Sequence, residues 1–275
     1  MKEHIVDVIN QIERDHEVKI LFACESGSRA WGFPSKDSDY DVRFIYIHKP
    51  NWYLSIDQKR DVIEVPARDS VSIPIDPLVD MSGWELTKAL RLIRKSNPPL
   101  LEWLQSNIVY YKSYSTIDQM KELEQKIFSP VSCIHHYVNM VKGNFRDYFQ
   151  GEEVRIKKYL NVLRPVLSAK WIEKYDSIPP IEFQELVEDL VPAGEWKDSI
   201  ANLLKQKRAG EEIYLETRID NINEYLHEEI EHLETYAKSL NKDIPDPTEE
   251  LDMLFRMALR EIWDEELGEL GKRRW

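Results

Sequence analysis

The sequence has few of the residues that mark several classes of protein. Its 275 residues include two cysteines, Cys24 and Cys133, which lie far apart in the chain. A disulfide framework is therefore not expected, and a reducing compartment such as the cytoplasm fits. No apolar run is long enough to span a bilayer, and the first residues contain no apolar segment typical of a signal peptide. We expect a cytoplasmic protein without a membrane partner.

Net positive charge is also absent. The chain has 37 lysines and arginines against 50 aspartates and glutamates, which gives a formal net charge of −13 at pH 7. Such a chain is not a general nucleic-acid-binding surface, so a nucleic-acid substrate would need a local basic region. The length suffices for one large domain or two small ones with a buried core, and it does not specify an oligomeric state.

The hydrophobic pattern changes near residue 112. Before this point, apolar spacing predicts helices over residues 3–15 and from Leu86 onward, strands at 18–24, 41–47 and 62–65, and a short strand or turn at 78–82. After it, helical patterns cover residues 115–127, 130–149, 153–174, 181–190, 195–209, 219–240 and 247–267. We predict an α+β protein, with a small mixed-sheet domain over residues 1–112 followed by an all-helical C-terminal domain over residues 113–275.

The most informative segment joins the first two predicted strands. A Gly27-Ser28 turn follows the first strand, and Asp39 and Asp41 stand at the start of the second. Residues i and i+2 of a strand face the same side, so the two carboxylates would lie together and would need a cation such as Mg²⁺. The backbone N–H groups and the hydroxyl of the turn suit a phosphate. The pattern predicts nucleotide transfer from a nucleoside triphosphate, with two Mg²⁺ ions held by the acids.

A third carboxylate usually completes a two-metal site. We prefer Asp80, because it lies on a predicted short strand just before a glycine, and the alternatives are Glu85 and Glu64. The simpler interpretation of the acidic string that ends at Asp41 is a solvated loop or part of a calcium loop. The apolar residues that follow Asp41, together with the upstream Gly-Ser turn, favour the catalytic interpretation.

Several basic residues are further candidates. Arg29 in the turn would contact a phosphate or would simply be solvated, and Arg43 would contact the triphosphate or only balance the acids. The predicted helix 153–174 is rich in basic residues, which suits RNA phosphates, although a solvated amphipathic helix is the common alternative. Its candidate acceptor contacts are Lys157, Lys158 and Tyr159. A second, weaker basic cluster consists of Lys205, Lys207 and Arg208.

Longer matching segments carry a resemblance to a known family. They are Glu25-Ser26-Gly27-Ser28-Arg29-Ala30-Trp31-Gly32, Asp37-Ser38-Asp39-Tyr40-Asp41-Val42-Arg43, Ser82-Gly83-Trp84-Glu85-Leu86, Lys95-Ser96-Asn97-Pro98, Leu101-Glu102-Trp103-Leu104, Lys157-Lys158-Tyr159 and Leu163-Arg164-Pro165. The chain resembles the DNA polymerase β-like nucleotidyltransferase superfamily, in its bacterial branch of predicted nucleotidyltransferases that includes RlaP-type and YcgL-like proteins. The resemblance implies a nucleotidyltransferase fold and Mg²⁺-dependent chemistry, with Asp39 and Asp41 as metal ligands and Gly27 and Ser28 at the triphosphate.

We therefore expect an enzyme that moves a nucleoside monophosphate from a nucleoside triphosphate to an acceptor and releases pyrophosphate. An RNA end is the favoured acceptor, because the resembling family is associated with RNA repair and the chain has a basic helix. One alternative is nucleotidylation of a small molecule or a protein. Another is a non-catalytic nucleotide-binding sensor, although a sensor has no need of two metal-binding acids.

Overall fold

The computed structural model describes residues 1–148, 153–210, 215–217, 219–240 and 246–270. Its first part contains α1 (Lys2–His16), β1 (Val18–Glu25), α2 (Gly27–Ala30), β2 (Tyr40–His48), α3 (Pro50–Tyr53), β3 (Val62–Val65), β4 (Val79–Glu85), α4 (Leu86–Ile93), α5 (Pro98–Gln105) and β5 (Val109–Lys112). Its second part contains α6 (Thr116–Ile127), α7 (Pro130–Tyr148), β6 (Glu153–Arg155), α8 (Ile156–Tyr175), α9 (Phe183–Leu190), α10 (Glu195–Ala209), β7 (Leu215–Thr217), α11 (Asp220–Ser239) and α12 (Thr248–Leu270). The predicted fold class, a mixed sheet followed by helices, is confirmed.

Several details differ from the prediction, which did not include α3 or β5. Strands β6 and β7 pair as a small antiparallel sheet within the helical part, and three residues are too few to show an alternating pattern. Helix α5 was also missed, because its two prolines were interpreted only as the end of α4. The side chain of Asn97 accepts a hydrogen bond from the N–H of Leu100, and Pro98 fills the first helical position, so both residues start a helix here.

The large sheet places strand β2 at its centre. The strand order is β3-β4-β2-β1-β5, with β2 and β4 parallel and the other neighbours antiparallel. The register of the parallel pair sets Asp41 directly beside Asp80. Two of the acids predicted from the sequence are therefore neighbours across the centre of the sheet.

Helix α1 covers one face of the sheet. Its apolar residues Ile5, Val8, Ile9 and Ile12 follow the spacing of a single helix face, and all four are fully buried. They share an apolar cluster with Val42, Phe44 and Tyr46, which lie on that face of β2. Each such burial contributes about 1.5–3 kcal/mol to stability. The alternate side chains of β2, those of Asp41, Arg43, Ile45 and Ile47, must therefore point to the opposite face.

The opposite face carries both the second core and the acids. Ile45 and Ile47 of β2 form a cluster with residues of α4, α5 and α6, and also with Leu251 and Leu254 of α12. Asp41 alternates onto this same face, beyond the edge of the apolar cover. Helix α12 packs back against this face of the sheet. The predicted boundary between two domains at residue 112 therefore stays a prediction.

Both cysteines lie in the protein interior. Cys24 and Cys133 are buried and unpaired, as expected. Burial raises the pKa of both thiols well above the usual range, which keeps them protonated and unreactive. In the part of the chain that the structure describes, no helix combines the length and the apolar character needed to cross a membrane.

Candidate active site

The turn between β1 and β2 lies against the acid at the start of β2. Gly27 has a φ of +61°, in the left-handed region that favours glycine. A Cβ added there would lie only 2.2 Å from Oδ2 of Asp41. A side chain is therefore excluded at this position both by the backbone conformation and by the carboxylate. The turn and the acid form one close-packed unit.

Asp41, Asp80 and Arg43 form a compact ionic group. Nη2 of Arg43 lies 3.0 Å from Oδ1 of Asp41, and Nη1 lies 2.8 Å from Oδ2 of Asp80. Nη1 also donates to the carbonyls of Val42 and Asp80, at 3.0 Å and 3.2 Å. The guanidinium is thus fixed between the two carboxylates, which is the charge-balancing role that the sequence left open. A contact between Arg43 and a triphosphate stays a prediction.

Asp39 completes the group of acids. It is exposed and lies just before β2. Burial raises the pKa of Asp41, the Arg43 guanidinium opposes this, and the charges of Asp80 and Asp39 raise the pKa further, while Lys157 lowers it. The charges of the other two acids predicted from the sequence thus both act on Asp41.

The donor set suits Mg²⁺ in its chemistry. Within the described residues, no group of three or more His, Cys, Asp or Glu side chains is already arranged as a complete metal site. The oxygens of Asp41 and Asp80 are hard ligands on adjacent strands, and Asp39 lies just before β2, where its charge acts on Asp41. A bound cation would relieve the mutual repulsion that raises the pKa of Asp41. Asp39, Asp41 and Asp80 are therefore the residues that would hold a Mg²⁺ ion, and Arg43 already pairs with two of them.

The alternative third acids lie elsewhere. Glu85 is fully buried and stands five residues beyond Asp80 on β4, a separation of about 16 Å along a strand. Glu64 is on the edge strand β3 and pairs with Arg60 at 2.8 Å. Of the three candidates weighed from the sequence, Asp80 is the one that the structure places beside Asp41.

Arg29 has a structural use that the sequence did not indicate. Its Nε donates to the carbonyl of Asp39 at 3.0 Å, and its Nη2 donates to the carbonyl of Ser38 at 2.8 Å. The guanidinium also lies 3.8 Å from the centre of the Tyr40 ring. Arg29 thereby holds the segment that carries Asp39 against the turn. A contact between Arg29 and a phosphate stays a prediction.

A cavity of about 280 Å³ opens between the turn and the helical part. Gly27, Ser28 and Asp41 line it from the sheet side, while Lys157 of α8 and Lys207 of α10 line it from the helical side. The cavity thus joins the Gly27-Ser28 turn, the central acid and two lysines from distant parts of the sequence. Lys207 belongs to the second, weaker basic cluster of the sequence, and the packing of α10 places it at this cavity.

The candidate acceptor contacts separate in the structure. Lys157 is exposed at the cavity and Lys158 is half-buried. Tyr159 is fully buried, and its hydroxyl accepts hydrogen bonds from the N–H of Ile219 at 2.9 Å and from Nδ2 of Asn223 at 3.2 Å. The expectation that Tyr159 contacts an acceptor is wrong, because residues two apart on a helix point about 200° apart and the tyrosine side of α8 forms the core.

A buried ion pair fastens the helical part to the end of the turn. Arg164 of α8 is buried, and its Nη1 lies 2.8 Å from Oε1 of Glu102. The indole N–H of Trp31 donates to Glu102 at 3.2 Å, and the guanidinium lies 4.4 Å from the centre of that ring. In the sequence, Arg164 stands among apolar residues. This pattern is typical of a buried arginine, and it was the signal that could have predicted the group of Arg164, Glu102 and Trp31.

Comparison with known proteins places the chain in a family. A sequence profile for RlaP, described as the RNA repair pathway DNA polymerase beta family, matches residues 1–257. The chain belongs to the RlaP family. It is also similar to the uncharacterized protein YcgL of Bacillus subtilis (strain 168), with 51% identity over 263 residues, covering 96% of this chain and 98% of YcgL.

Among solved structures, a nucleotidyltransferase-like protein from Exiguobacterium sibiricum 255-15 overlaps with 87% of this chain and 75% of its own. The identity is 12% and the TM-score is 0.32, so this likeness supports no conclusion. Membership of the RlaP family confirms the resemblance to DNA polymerase β-like proteins that the sequence motifs indicated.

Proposed function

We propose that this chain is a Mg²⁺-dependent nucleotidyltransferase that moves a nucleoside monophosphate from a nucleoside triphosphate to an RNA end. The observation that carries the proposal is the packing of the Gly27 turn against Asp41, where an added Cβ would lie 2.2 Å from the carboxylate. This packing supports the proposal, because a turn that would bind phosphates and an acid that would bind a metal ion would then act side by side. The description of RlaP as an RNA repair pathway DNA polymerase beta family supports both the nucleotide substrate and the RNA acceptor.

In the proposed reaction, an acceptor oxygen attacks the α-phosphorus of the triphosphate. A bond forms between these two atoms, the bond from the α-phosphorus to the bridging oxygen breaks, and pyrophosphate leaves with the electron pair. Asp39, Asp41 and Asp80 would hold two Mg²⁺ ions, which supply charge stabilisation and acidify the attacking hydroxyl when bound. Asp80, half exposed beside Asp41, would accept the proton of the acceptor.

The phosphates would be held from two sides. The main-chain N–H groups of Gly27 and Ser28, with the Ser28 hydroxyl, would donate to the β- and γ-phosphates. Lys157 and Lys207 line the same cavity, so their charges would stabilise the triphosphate and the departing pyrophosphate. In this arrangement the nucleotide requires both the sheet part and the helical part.

The test is to follow the nucleotide label. The purified chain is incubated with each α-labelled nucleoside triphosphate, Mg²⁺ and total cellular RNA, and in parallel with small-molecule and protein fractions. Label on RNA supports the proposal. Label that enters only the protein or small-molecule fraction replaces RNA as the acceptor. Nucleotide binding without label transfer in any fraction would instead support a sensor and overturn the enzymatic proposal.

A further inference from the structure

A buried carboxylate lies next to the main chain of Asp41. Glu25, the last residue of β1, is fully buried. One of its oxygens accepts a hydrogen bond from the N–H of Asp41 at 2.8 Å, and the other accepts from the hydroxyl of Tyr110. Among the described residues, no lysine or arginine forms an ion pair with it. Glu25 is therefore a carboxylate that is satisfied entirely by neutral donors.

The place of this carboxylate in the sheet explains what it does. In a continued antiparallel pair, Asp41 and Ser26 would exchange both main-chain hydrogen bonds. The N–H of Ser26 does donate to the carbonyl of Asp41, at 2.8 Å. At Gly27, however, the chain leaves the strand for the turn, and the side chain of Glu25 accepts the N–H of Asp41. Glu25 thus completes the ladder at the residue that carries the central acid.

Burial of Glu25 is costly, which argues that its position matters. Desolvation raises the pKa of Glu25, and the hydrogen bonds from Tyr110 and from the main chain of Asp41 oppose the rise. An uncharged residue would be cheaper to bury at such a site. The carboxylate, moreover, holds the main chain of the residue whose side chain packs against Gly27, where an added Cβ would lie 2.2 Å from Oδ2 of Asp41.

We infer that Glu25, oriented by Tyr110, is a positioning residue that holds the Asp41 carboxylate in its metal-binding orientation. This inference rests on the proposed function and adds two residues to it, neither of which touches the substrate. It predicts that loss of the hydrogen bond to the Asp41 N–H weakens metal binding and slows transfer, while the affinity for the nucleotide base and sugar is preserved.

The experiment compares E25A with E25Q. Glutamine can still accept the Asp41 N–H through its amide oxygen and can donate to the Tyr110 oxygen, so E25Q keeps both contacts, whereas E25A loses both. We expect E25A to lower Mn²⁺ affinity, measured by electron paramagnetic resonance with a non-hydrolysable triphosphate analogue, by about 10–100-fold, the usual effect of losing a partner that orients a metal ligand. E25Q should remain close to wild type. Hydrogen exchange of the Asp41 amide should speed up in E25A alone.

Glu85 provides a matched control. It is also a fully buried carboxylate at a strand end, and it accepts hydrogen bonds from the Tyr53 hydroxyl at 2.6 Å and from the Thr87 N–H at 2.8 Å. E85A should lower the melting temperature as E25A does but should leave Mn²⁺ affinity unchanged. Equal Mn²⁺ affinity in E25A and wild type would overturn the inference, and so would an E25Q variant as impaired as E25A.

The remaining outcomes distinguish a failure of this inference from a failure of the proposed function. If E25A does not fold, Y110F decides, since it removes one hydroxyl and leaves the carboxylate in place. Reduced Mn²⁺ affinity in Y110F then supports the inference, and unchanged affinity overturns it. A wild-type chain that neither binds Mn²⁺ nor transfers a nucleotide refutes the proposed function. A fully active wild type matched by E25A refutes only the positioning role.

Discussion

Asp41 and Asp80 are direct neighbours on the parallel strands β2 and β4, and the guanidinium of Arg43 joins their carboxylates. The pair is separated by nearly forty positions in sequence, and the parallel register alone aligns it. The charge of Asp80 raises the cost of ionising Asp41, and the guanidinium of Arg43 opposes this effect. The sheet therefore concentrates the negative charges of Asp41 and Asp80 at one point. In the proposed chemistry, a Mg²⁺ ion would be attracted to these charges.

The first prediction concerns the acids. Changing both Asp39 and Asp41 to Asn should reduce nucleotide transfer by at least about 10²-fold, because charge stabilisation in the transition state is lost. The melting temperature should stay within a few degrees, since burial already disfavours the charge on Asp41. Transfer is measured with labelled triphosphate, and stability by calorimetry.

The control for this variant is D37N. Asp37 is an exposed acid in the same segment, two residues before Asp39. If acidity of the segment alone mattered, D37N would also lose activity. Undiminished transfer by the D39N/D41N variant would eliminate the proposed mechanism, whereas an equal loss in D37N would show that the two acids have no special role.

The second prediction concerns Gly27. G27A should destabilise the chain by about 1–2 kcal/mol from the left-handed backbone and should also displace the Asp41 carboxylate, so that metal binding and transfer are both lost. Gly210 is a matched control, because its φ is +85° and an added Cβ would meet no described residue within 4 Å. G210A should lose similar stability but keep full activity. Urea unfolding and transfer assays on both variants separate strain from displacement; retained activity in G27A would contradict the prediction.

These residues show how far sequence patterns reach. The turn pattern located Gly27, which does lie against Asp41, because this depends on local turn geometry. The expectation that Asp39 and Asp41 face the same side of a strand stays a prediction, since β2 begins at Tyr40. The ranking of Asp80 above Glu85 and Glu64 depends on the register between β2 and β4, which no local pattern encodes.

Helix α8 shows what the sequence pattern could not predict. Lys157 lines the cavity, while Tyr159 and Arg164 on the same helix are buried against different neighbours. Helix α8 packs against α7, α9, α10 and α11, so a search for one basic face could not separate its cavity side from its core sides. Only tertiary packing decides which of its side chains remain available to a substrate.

The third prediction concerns the buried pair of Glu102 and Arg164. R164L leaves the Glu102 carboxylate buried without its cation and should cost about 3–5 kcal/mol of unfolding free energy. The double variant E102L/R164L removes both charges and should recover much of this loss. Urea unfolding of wild type, both single variants and the double variant forms a complete cycle. A double variant that is less stable than R164L would contradict the prediction.

The fourth prediction is a pH dependence at Glu124. In the part of the chain that the structure describes, Oε1 of this buried side chain has no hydrogen-bond partner, and burial raises the pKa of Glu124 from 4.5 to about 8. The folded state therefore binds the proton more tightly than the unfolded state, so stability should fall as the pH rises from about 4.5 to about 8. The loss should be on the order of a few kcal/mol.

E124Q should flatten this dependence, because the amide has no proton to lose in that range. The measurement is urea unfolding at pH 5.5 and pH 8.5. The exposed neighbour Glu122 provides the control, and E122Q should follow wild type at both values. Parallel pH profiles for E124Q and wild type would show that Glu124 does not carry the effect.

The last prediction concerns the two lysines of the cavity. If Lys157 and Lys207 hold the phosphates, K157A should weaken binding of a nucleoside triphosphate much more than binding of the corresponding monophosphate, because the lost contact is with the outer phosphates. The difference should shrink at high salt, as expected for an exposed charge. K158A changes the adjacent, half-buried lysine, which does not line the cavity, and should leave the ratio of the two affinities near the wild-type value. Calorimetric titration with both nucleotides gives the ratio directly, and a K157A variant that weakens both nucleotides equally would remove Lys157 from the phosphate site.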